Sequence, residues 1–103
     1  NAIIEFLPDP KTGKKQVLDL IRQIGRVGKN DKDVLQLYML IIRGLDFLRK
    51  YGLPDAFKRF FQTKREDGQP YTILLVKKLR NHAPLLEFRV NWRGAGAFRA
   101  VFF

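Results

Sequence analysis

The chain has 103 residues, 46% of them hydrophobic, and it carries twenty Lys and Arg against ten Asp and Glu, a formal net charge of +10 at pH 7. This length and apolar content fit one globular domain, which we predict to span residues 1–103. The absence of cysteine and serine excludes disulfides, thiolate metal sites, and Cys or Ser nucleophiles. The positive charge is spread along the whole chain and predicts a polyanionic partner, with RNA, DNA, the ribosome surface or an acidic protein as the alternatives.

The N-terminal third is predicted to hold a strand and then a helix. Residues 3–7 form a short apolar run that a Pro-Asp-Pro stretch ends, which is typical of a strand. From Lys14 the hydrophobic period becomes helical, and Gly25 and Gly28 mark the end of this helix. The apolar positions of the helix are Val17, Leu20, Ile21, Ile24 and Val27.

Residues 33–51 have the strongest helical pattern in the chain. Asn30 is predicted as the N-cap, because its side chain can accept hydrogen bonds from the first turn, and Gly52 as the residue that ends the helix. The apolar stripe consists of Val34, Leu37, Tyr38, Ile41, Leu45 and Leu48. Pro54 is predicted to open one more short helix. That helix would carry Ala56, Phe57, Phe60 and Phe61.

The C-terminal third is predicted to be a sheet. Residues 64–70 are polar and contain Asp-Gly, which is typical of a loop, and strands are predicted at residues 71–79, 85–92 and 97–103. Because helices and strands are segregated along the chain, the fold class is predicted as α+β: an N-terminal strand, two or three helices, and an antiparallel sheet of at least three strands with the helices on one face.

The last two strands are predicted to form a hairpin whose register decides which side chains share a face. A three-residue loop at residues 94–96 is predicted, because a glycine at its end can adopt the positive φ that such a loop requires. Arg93 would then oppose Ala97, and Asn91 would oppose Arg99. A loop of two or four residues would place Arg99 on the apolar side, where an unpaired charge is costly.

This register gives the hairpin one apolar face and one polar face. The apolar set is Leu86, Phe88, Val90, Trp92, Phe98, Ala100 and Phe102. The polar face would present Glu87, Arg89, Asn91 and Arg99. Two guanidinium groups on neighbouring strands can bind a phosphate, since each offers a planar fork of donors. The alternative is a solvated face of ordinary surface charges.

Three segments of this region carry a family resemblance: residues 76–80 (Val-Lys-Lys-Leu-Arg), 85–90 (Leu-Leu-Glu-Phe-Arg-Val) and 98–103 (Phe-Arg-Ala-Val-Phe-Phe). They resemble the Lys-Lys-Leu, Leu-Tyr-Glu-Leu-Arg and Tyr-Arg-hydrophobic strands of HigB-like, phage-related toxins in the RelE/ParE superfamily, in the same order. The predicted strand and helices upstream match that family in order and type, whereas the motif covers only residues 76–103.

The resemblance implies a cytoplasmic toxin of a toxin–antitoxin system that cuts mRNA on the ribosome without a metal or other cofactor. In that family the RNA 2′-hydroxyl attacks the adjacent phosphate, and a cognate antitoxin protein neutralises the toxin. By position, Arg89 and Arg99 would hold the scissile phosphate and Glu87 would be the general base. The remaining expected RNA contacts are Lys77, Lys78, Arg80, Asn91 and Arg93.

Two departures from the family keep alternatives open. Family members continue with a further strand and a Lys-Lys segment after the position of Phe103, so we expect this chain to lack its C-terminal strand. Some members of the superfamily inhibit DNA gyrase and cut nothing, which leaves a non-catalytic binding module as the alternative function. The apolar runs are far shorter than the ~20 residues of a membrane span, and no membrane partner is predicted.

A few other residues have two possible uses. His82, the single histidine, lies in a predicted turn, where we expect no chemistry, although an imidazole near a phosphate could act as an acid or base. Trp92 is predicted to pack in the core rather than to stack on a base, while Tyr71 could do either. The aromatic residues 57, 60 and 61 could line an antitoxin groove or belong to the core, and we favour the core.

Overall fold

The computed structural model describes residues 4–65, 68–79 and 85–102, in which two helices precede two antiparallel sheets. The elements are α1 (Gln16–Gly28), α2 (Lys32–Lys58), β1 (Phe61–Lys64), β2 (Pro70–Ile73), β3 (Val76–Lys78), β4 (Leu86–Trp92) and β5 (Gly96–Phe102). One sheet is the β1–β2 hairpin and the other has the order β3-β4-β5. The predicted α+β class is therefore confirmed. The predicted N-terminal strand is wrong, because residues 4–7 form no strand.

The N-cap of helix α2 lies one residue after the predicted one. Asp31 rather than Asn30 is the N-cap, and its carboxylate accepts hydrogen bonds from the backbone N–H groups of Asp33 and Val34 at 3.0 and 3.2 Å. Gly52, with φ 78°, interrupts the helix, and Pro54 lies in the first turn of the segment that follows. The predicted helix end at Gly52 and the short helix after it are both confirmed, because glycine adopts this left-handed conformation without strain.

The core lies between α2 and one face of the β3-β4-β5 sheet. Phe88, Val90 and Phe98 are 1–4% exposed, and the α2 residues Leu40 and Ile41 are fully buried against the same cluster. Gly44 allows α2 to approach the sheet closely, since a Cβ at this position would lie 3.1 Å from both Leu75 Cδ2 and Phe88 Cζ. Close packing of this kind fixes the distance and the orientation of the helix over the strands.

Two predictions about the segment after α2 are wrong. Neither Phe60 nor Phe61 lies in the short helix, which ends at Lys58, and Phe61 belongs to β1. The single predicted strand at residues 71–79 is divided into β2 and β3, which belong to different sheets. Phe61 is buried against Phe47 and Tyr71, at centroid distances of 5.6 and 6.4 Å, so tertiary packing decides its conformation. The predictions for Arg80, His82 and Phe103 lie outside the described residues.

The β4–β5 hairpin has a three-residue loop, but the loop is residues 93–95 rather than 94–96. The backbone N–H of Ala95 donates to the carbonyl of Trp92 at 3.1 Å, and Trp92 opposes Gly96. Arg89 therefore lies directly opposite Arg99, and the predicted pairing of Asn91 with Arg99 is wrong. Because the loop keeps its length of three residues, every side chain stays on its predicted face.

The turn of this hairpin is attached to the beginning of α2. The indole N–H of Trp92 donates to Asp33 Oδ1 at 3.1 Å. Gly94 has φ 90°, and a Cβ there would overlap the Asp33 carboxylate. Position 94 therefore has to be glycine for two reasons, its backbone conformation and its contact with Asp33.

We predict that Gly94→Ala destabilises the protein more than Gly13→Ala. Gly13 also has a positive φ, 71°, but a Cβ there meets nothing within 4 Å, so it is the matched control for backbone strain alone. We expect a loss of about 1 kcal/mol for Gly13→Ala and about 3 kcal/mol for Gly94→Ala, which also displaces Asp33 from Trp92. Urea unfolding measures both free energies of unfolding. Equal losses in the two variants would contradict the close contact between position 94 and Asp33.

Candidate nucleic-acid interface

The polar side chains of the three-stranded sheet lie on the face away from α2, which we name the open face. It consists of Lys77 from β3, Glu87, Arg89 and Asn91 from β4, and Arg99 from β5. The alternation of the strands produces it, because burial of the residues at even positions of β4 and β5 directs the odd positions outward. The open face predicted from the sequence is thus present.

Arg89 and Arg99 form a cross-strand pair on this face. Directly opposed residues of antiparallel strands have Cβ atoms about 5 Å apart, and side chains of like charge in this arrangement destabilise the sheet. Among the described residues, no carboxylate forms an ion pair with either arginine. An anion bound between the two guanidinium groups would relieve the repulsion, and a phosphate can accept hydrogen bonds from both.

Arg89 is held in place by the break between β2 and β3. Its Nε donates to the carbonyl of Leu74 at 3.3 Å, and its backbone N–H donates to the carbonyl of Leu75 at 2.7 Å. The Leu74 carbonyl is available because the chain leaves the regular strand there. One nitrogen of the half-buried guanidinium is thus used for positioning, while Arg99 is exposed. Sequence reasoning missed this support, because it predicted one uninterrupted strand.

Tyr71 completes the edge of β4 where β3 is absent. Its hydroxyl accepts a hydrogen bond from the backbone N–H of Asn91 at 3.2 Å and donates to Asn91 Oδ1 at 3.5 Å. Burial raises the pKa of Tyr71, while the Asn91 hydrogen bond and the charge of Arg89 oppose that rise. The hydroxyl therefore stays protonated at neutral pH. The sequence left Tyr71 undecided between core packing and base stacking, and in the structure its hydroxyl is bonded to the edge of β4.

Glu87 is paired with Lys77 across β3 and β4. The Lys77 Nζ lies 3.7 Å from Glu87 Oε1, and the Glu87 side chain is only 13% exposed. Oε1 is buried and accepts no hydrogen bond in the described part of the chain. Glu87 lies on the same face as Arg89, two residues away, as predicted. For Glu87 to take a proton from a bound hydroxyl, its contact with Lys77 would have to open.

The other predicted contacts are not all on the open face. Lys78, a predicted RNA contact, lies on the opposite face of β3 from Lys77, with its Nζ 5.6 Å from the centre of the Phe57 ring. Adjacent residues of a strand point to opposite sides, which separates the two lysines. Arg93 is exposed in the hairpin turn. Arg80, also predicted, lies outside the described residues.

Trp92 does not offer a ring for base stacking. Its indole packs against the core, its N–H is bound to Asp33, and the guanidinium carbon of Arg65 lies 4.7 Å from the ring centre. Over residues 4–65, 68–79 and 85–102, no group of three or more His, Cys, Asp or Glu could hold a metal ion. No helix within those ranges is both long enough and apolar enough to cross a membrane.

Comparisons of the chain with models of known protein families, with curated proteins and with solved structures found no match. The resemblance to the RelE/ParE superfamily therefore depends on the three segments quoted above.

We predict that Tyr71→Phe lowers the free energy of unfolding by about 1 kcal/mol at pH 7, because the Asn91 N–H loses its acceptor. The folded-state pKa of Tyr71 lies above its ordinary value of 10.0, so the contribution of the neutral hydroxyl is complete below pH 10. It is lost as the pH rises through the folded-state pKa. Urea unfolding between pH 7 and 11 should show the difference between the two proteins shrinking above pH 10.

The control for this experiment is Tyr38→Phe, whose hydroxyl makes no hydrogen bond to another described residue. At pH 7 we expect a smaller loss of unfolding free energy for this variant than for Tyr71→Phe. A difference between Tyr71→Phe and the wild type that grows above pH 10 would contradict the burial of the neutral hydroxyl.

Proposed function

We propose that the open face binds RNA and that the chain is a HigB-like toxin of the RelE/ParE superfamily, a ribosome-dependent mRNA endonuclease that acts in the cytoplasm. The observation that carries the proposal is the cross-strand pair of Arg89 and Arg99, which no described carboxylate neutralises, in a chain of net charge +10. The sugar-phosphate backbone is the polyanion that such a face fits best, because each phosphate can accept hydrogen bonds from two guanidinium groups.

The chemistry that we propose is attack of the RNA 2′-hydroxyl on the adjacent phosphate. This breaks the bond to the 5′-oxygen of the next nucleotide and leaves a 2′,3′-cyclic phosphate, and the departing oxygen takes up a proton. Negative charge on the phosphate oxygens increases in the transition state. Arg89 and Arg99 would stabilise that charge, and the Leu74 carbonyl that holds Arg89 Nε would keep one of the two groups oriented beforehand. Glu87, once released from Lys77, would accept the proton of the 2′-hydroxyl.

We predict that Arg89→Ala and Arg99→Ala each lower cleavage of ribosome-bound mRNA by about 100-fold or more, since each removes a charge that stabilises the transition state. Purified protein and programmed ribosomes are incubated, and the mRNA ends are mapped by primer extension. The control is Arg22→Ala, which removes the same charge from a side chain of α1 that is 62% exposed. Cuts that survive in both open-face variants would contradict the proposed site.

A second candidate function is a non-catalytic RNA-binding or gyrase-binding module. The observation in its favour is the burial of Glu87 against Lys77, which leaves no accessible base on the open face among the described residues. The same assay separates the two functions. If RNA binds the wild-type protein and stays intact, and Arg89→Ala loses this binding, the protein is a non-catalytic RNA-binding module. If the protein instead inhibits supercoiling by purified gyrase, it is a gyrase-binding module.

A cognate antitoxin is part of the first proposal, and a surface for it lies between α1 and β5. Two apolar hollows of about 580 and 480 Å³ lie there. Leu20 and Val27 of α1 line the smaller hollow and remain exposed, and Arg99 lines the same hollow. A protein segment bound in it would cover Arg99, which would explain how binding could block the RNA site.

We predict that Leu20→Glu removes protection by the antitoxin without changing mRNA cleavage. Leu20 is 49% exposed, so its replacement should not disturb the core, whereas a carboxylate would oppose an apolar or acidic partner. The protein is co-expressed with the product of the neighbouring gene, and growth is compared with the wild-type pair. Arg22→Ala on the same helix is the control, and growth rescue that persists in Leu20→Glu would exclude this surface.

A further inference from the structure

A second cationic and aromatic surface lies on the helical side of the molecule. The Tyr51 ring has the guanidinium carbon of Arg59 4.4 Å from its centre and the Nζ of Lys50 5.5 Å from it. Tyr51 is 36% exposed, and Phe60, which follows Arg59, is 52% exposed, so the core packing predicted for Phe60 is wrong. We name Lys50, Tyr51, Arg59 and Phe60 the Tyr51 surface. Its residues take no part in the open face described above.

The fold builds this surface from the end of α2 and the connection to β1. The backbone N–H of Arg59 donates to the carbonyl of Asp55 at 2.7 Å, which caps the helix as the chain turns to an extended conformation. Phe61 then enters the core at 5% exposure, and Phe60 next to it is directed to solvent. The Tyr51 ring also packs on Phe47 at a centroid distance of 4.8 Å, so it is held in place from below.

The charge of the Tyr51 surface is not neutralised locally. Residues 49–59 contain four cations and one carboxylate, Asp55. Arg49 is already paired with Asp46 at 2.7 Å, whereas no carboxylate in the described ranges forms an ion pair with Lys50 or Arg59. Cations beside exposed aromatic and guanidinium planes are the features with which proteins bind unpaired nucleotides, through phosphate contacts and base stacking.

The edge strand β3 connects the two surfaces. Lys77 lies on the open face opposite Glu87, while Lys78 lies on the helical side above Phe57. Because β3 is an edge of its sheet, a polyanion that leaves Arg89 can pass around this edge and meet a cation on each side. Lys78 therefore provides a cation on the helical side of this edge.

We propose that the Tyr51 surface is a second contact for single-stranded RNA, reached from the open face around the β3 edge. This inference rests on the proposed RNA-binding function of the open face and extends it. Lys50 and Arg59 bind phosphates, Phe60 stacks on a base, and Lys78 contacts the RNA where it passes around the β3 edge. A short RNA occupies the open face alone, and a longer RNA occupies both surfaces.

The test measures affinity against RNA length. Fluorescence anisotropy is recorded for oligouridine probes of about five and about twenty nucleotides, lengths that bracket a typical single-strand site. The variants are Lys50→Ala with Arg59→Ala, Phe60→Ala, Arg89→Ala and the control Arg22→Ala. Phe60→Ala changes no charge and removes an exposed side chain, so it retains the fold even if loss of Arg59 disturbs Tyr51.

We expect the double variant and Phe60→Ala to weaken binding of the longer RNA by about fivefold or more and to leave the shorter RNA unchanged. In the double variant, the slope of log affinity against log salt for the longer RNA should decrease in magnitude by about 1.4, for two lost phosphate contacts. Unchanged affinity for the longer RNA overturns the proposal, as does an equal loss for both lengths. Binding of polyglutamate is measured in the same way. If the double variant weakens it as much as it weakens RNA binding, and Phe60→Ala has no effect, the surface binds an acidic protein and the proposal is overturned.

Arg89→Ala tests the proposed function separately. If the open face binds RNA, this variant weakens both lengths. If it weakens neither while the Tyr51 variants weaken the longer RNA, the proposed function of the open face fails and the Tyr51 surface is the RNA site.

Discussion

Contact between α2 and the even-numbered side chains of β4 and β5 determines the polar chemistry of this molecule. Once Phe88, Val90 and Phe98 are buried beneath the helix, the pleat of the strands directs Arg89 and Arg99 to the other side. Gly44 permits this close approach, since a Cβ there would lie only 3.1 Å from the side chains of Leu75 and Phe88. The composition of the open face is therefore set by packing on the opposite side of the sheet.

The elements that the sequence predicted well are those with a strong and local signal. The period of α2, the glycine and proline that mark its interruption, and the alternation of β4 and β5 each identify an element without reference to the rest of the fold. The open face was predictable for the same reason. It depends only on which positions alternate, and this survived a loop placed one residue away from the prediction.

The errors come from positions where tertiary contacts choose between similar local options. Asn30 and Asp31 are both good caps, and Gly94 and Gly96 both adopt positive φ, so neighbouring residues compete for one role. Phe61 follows a helical stretch but is buried by Phe47 and Tyr71 in a strand. No propensity could locate the break at residues 74–75, although it provides the carbonyl that positions Arg89.

The bond between Trp92 and Asp33 joins residues 59 positions apart in the chain. Closing so long a segment costs more entropy than forming the local β4–β5 and β1–β2 hairpins, which have short connections. The hairpins and the α1–α2 pair should therefore form early, and the attachment of the hairpin turn to α2 should come after the rate-limiting step. Weakening this attachment would then accelerate unfolding while the refolding rate stays nearly constant. The Trp92 indole would therefore affect the lifetime of the native state more than the folding rate.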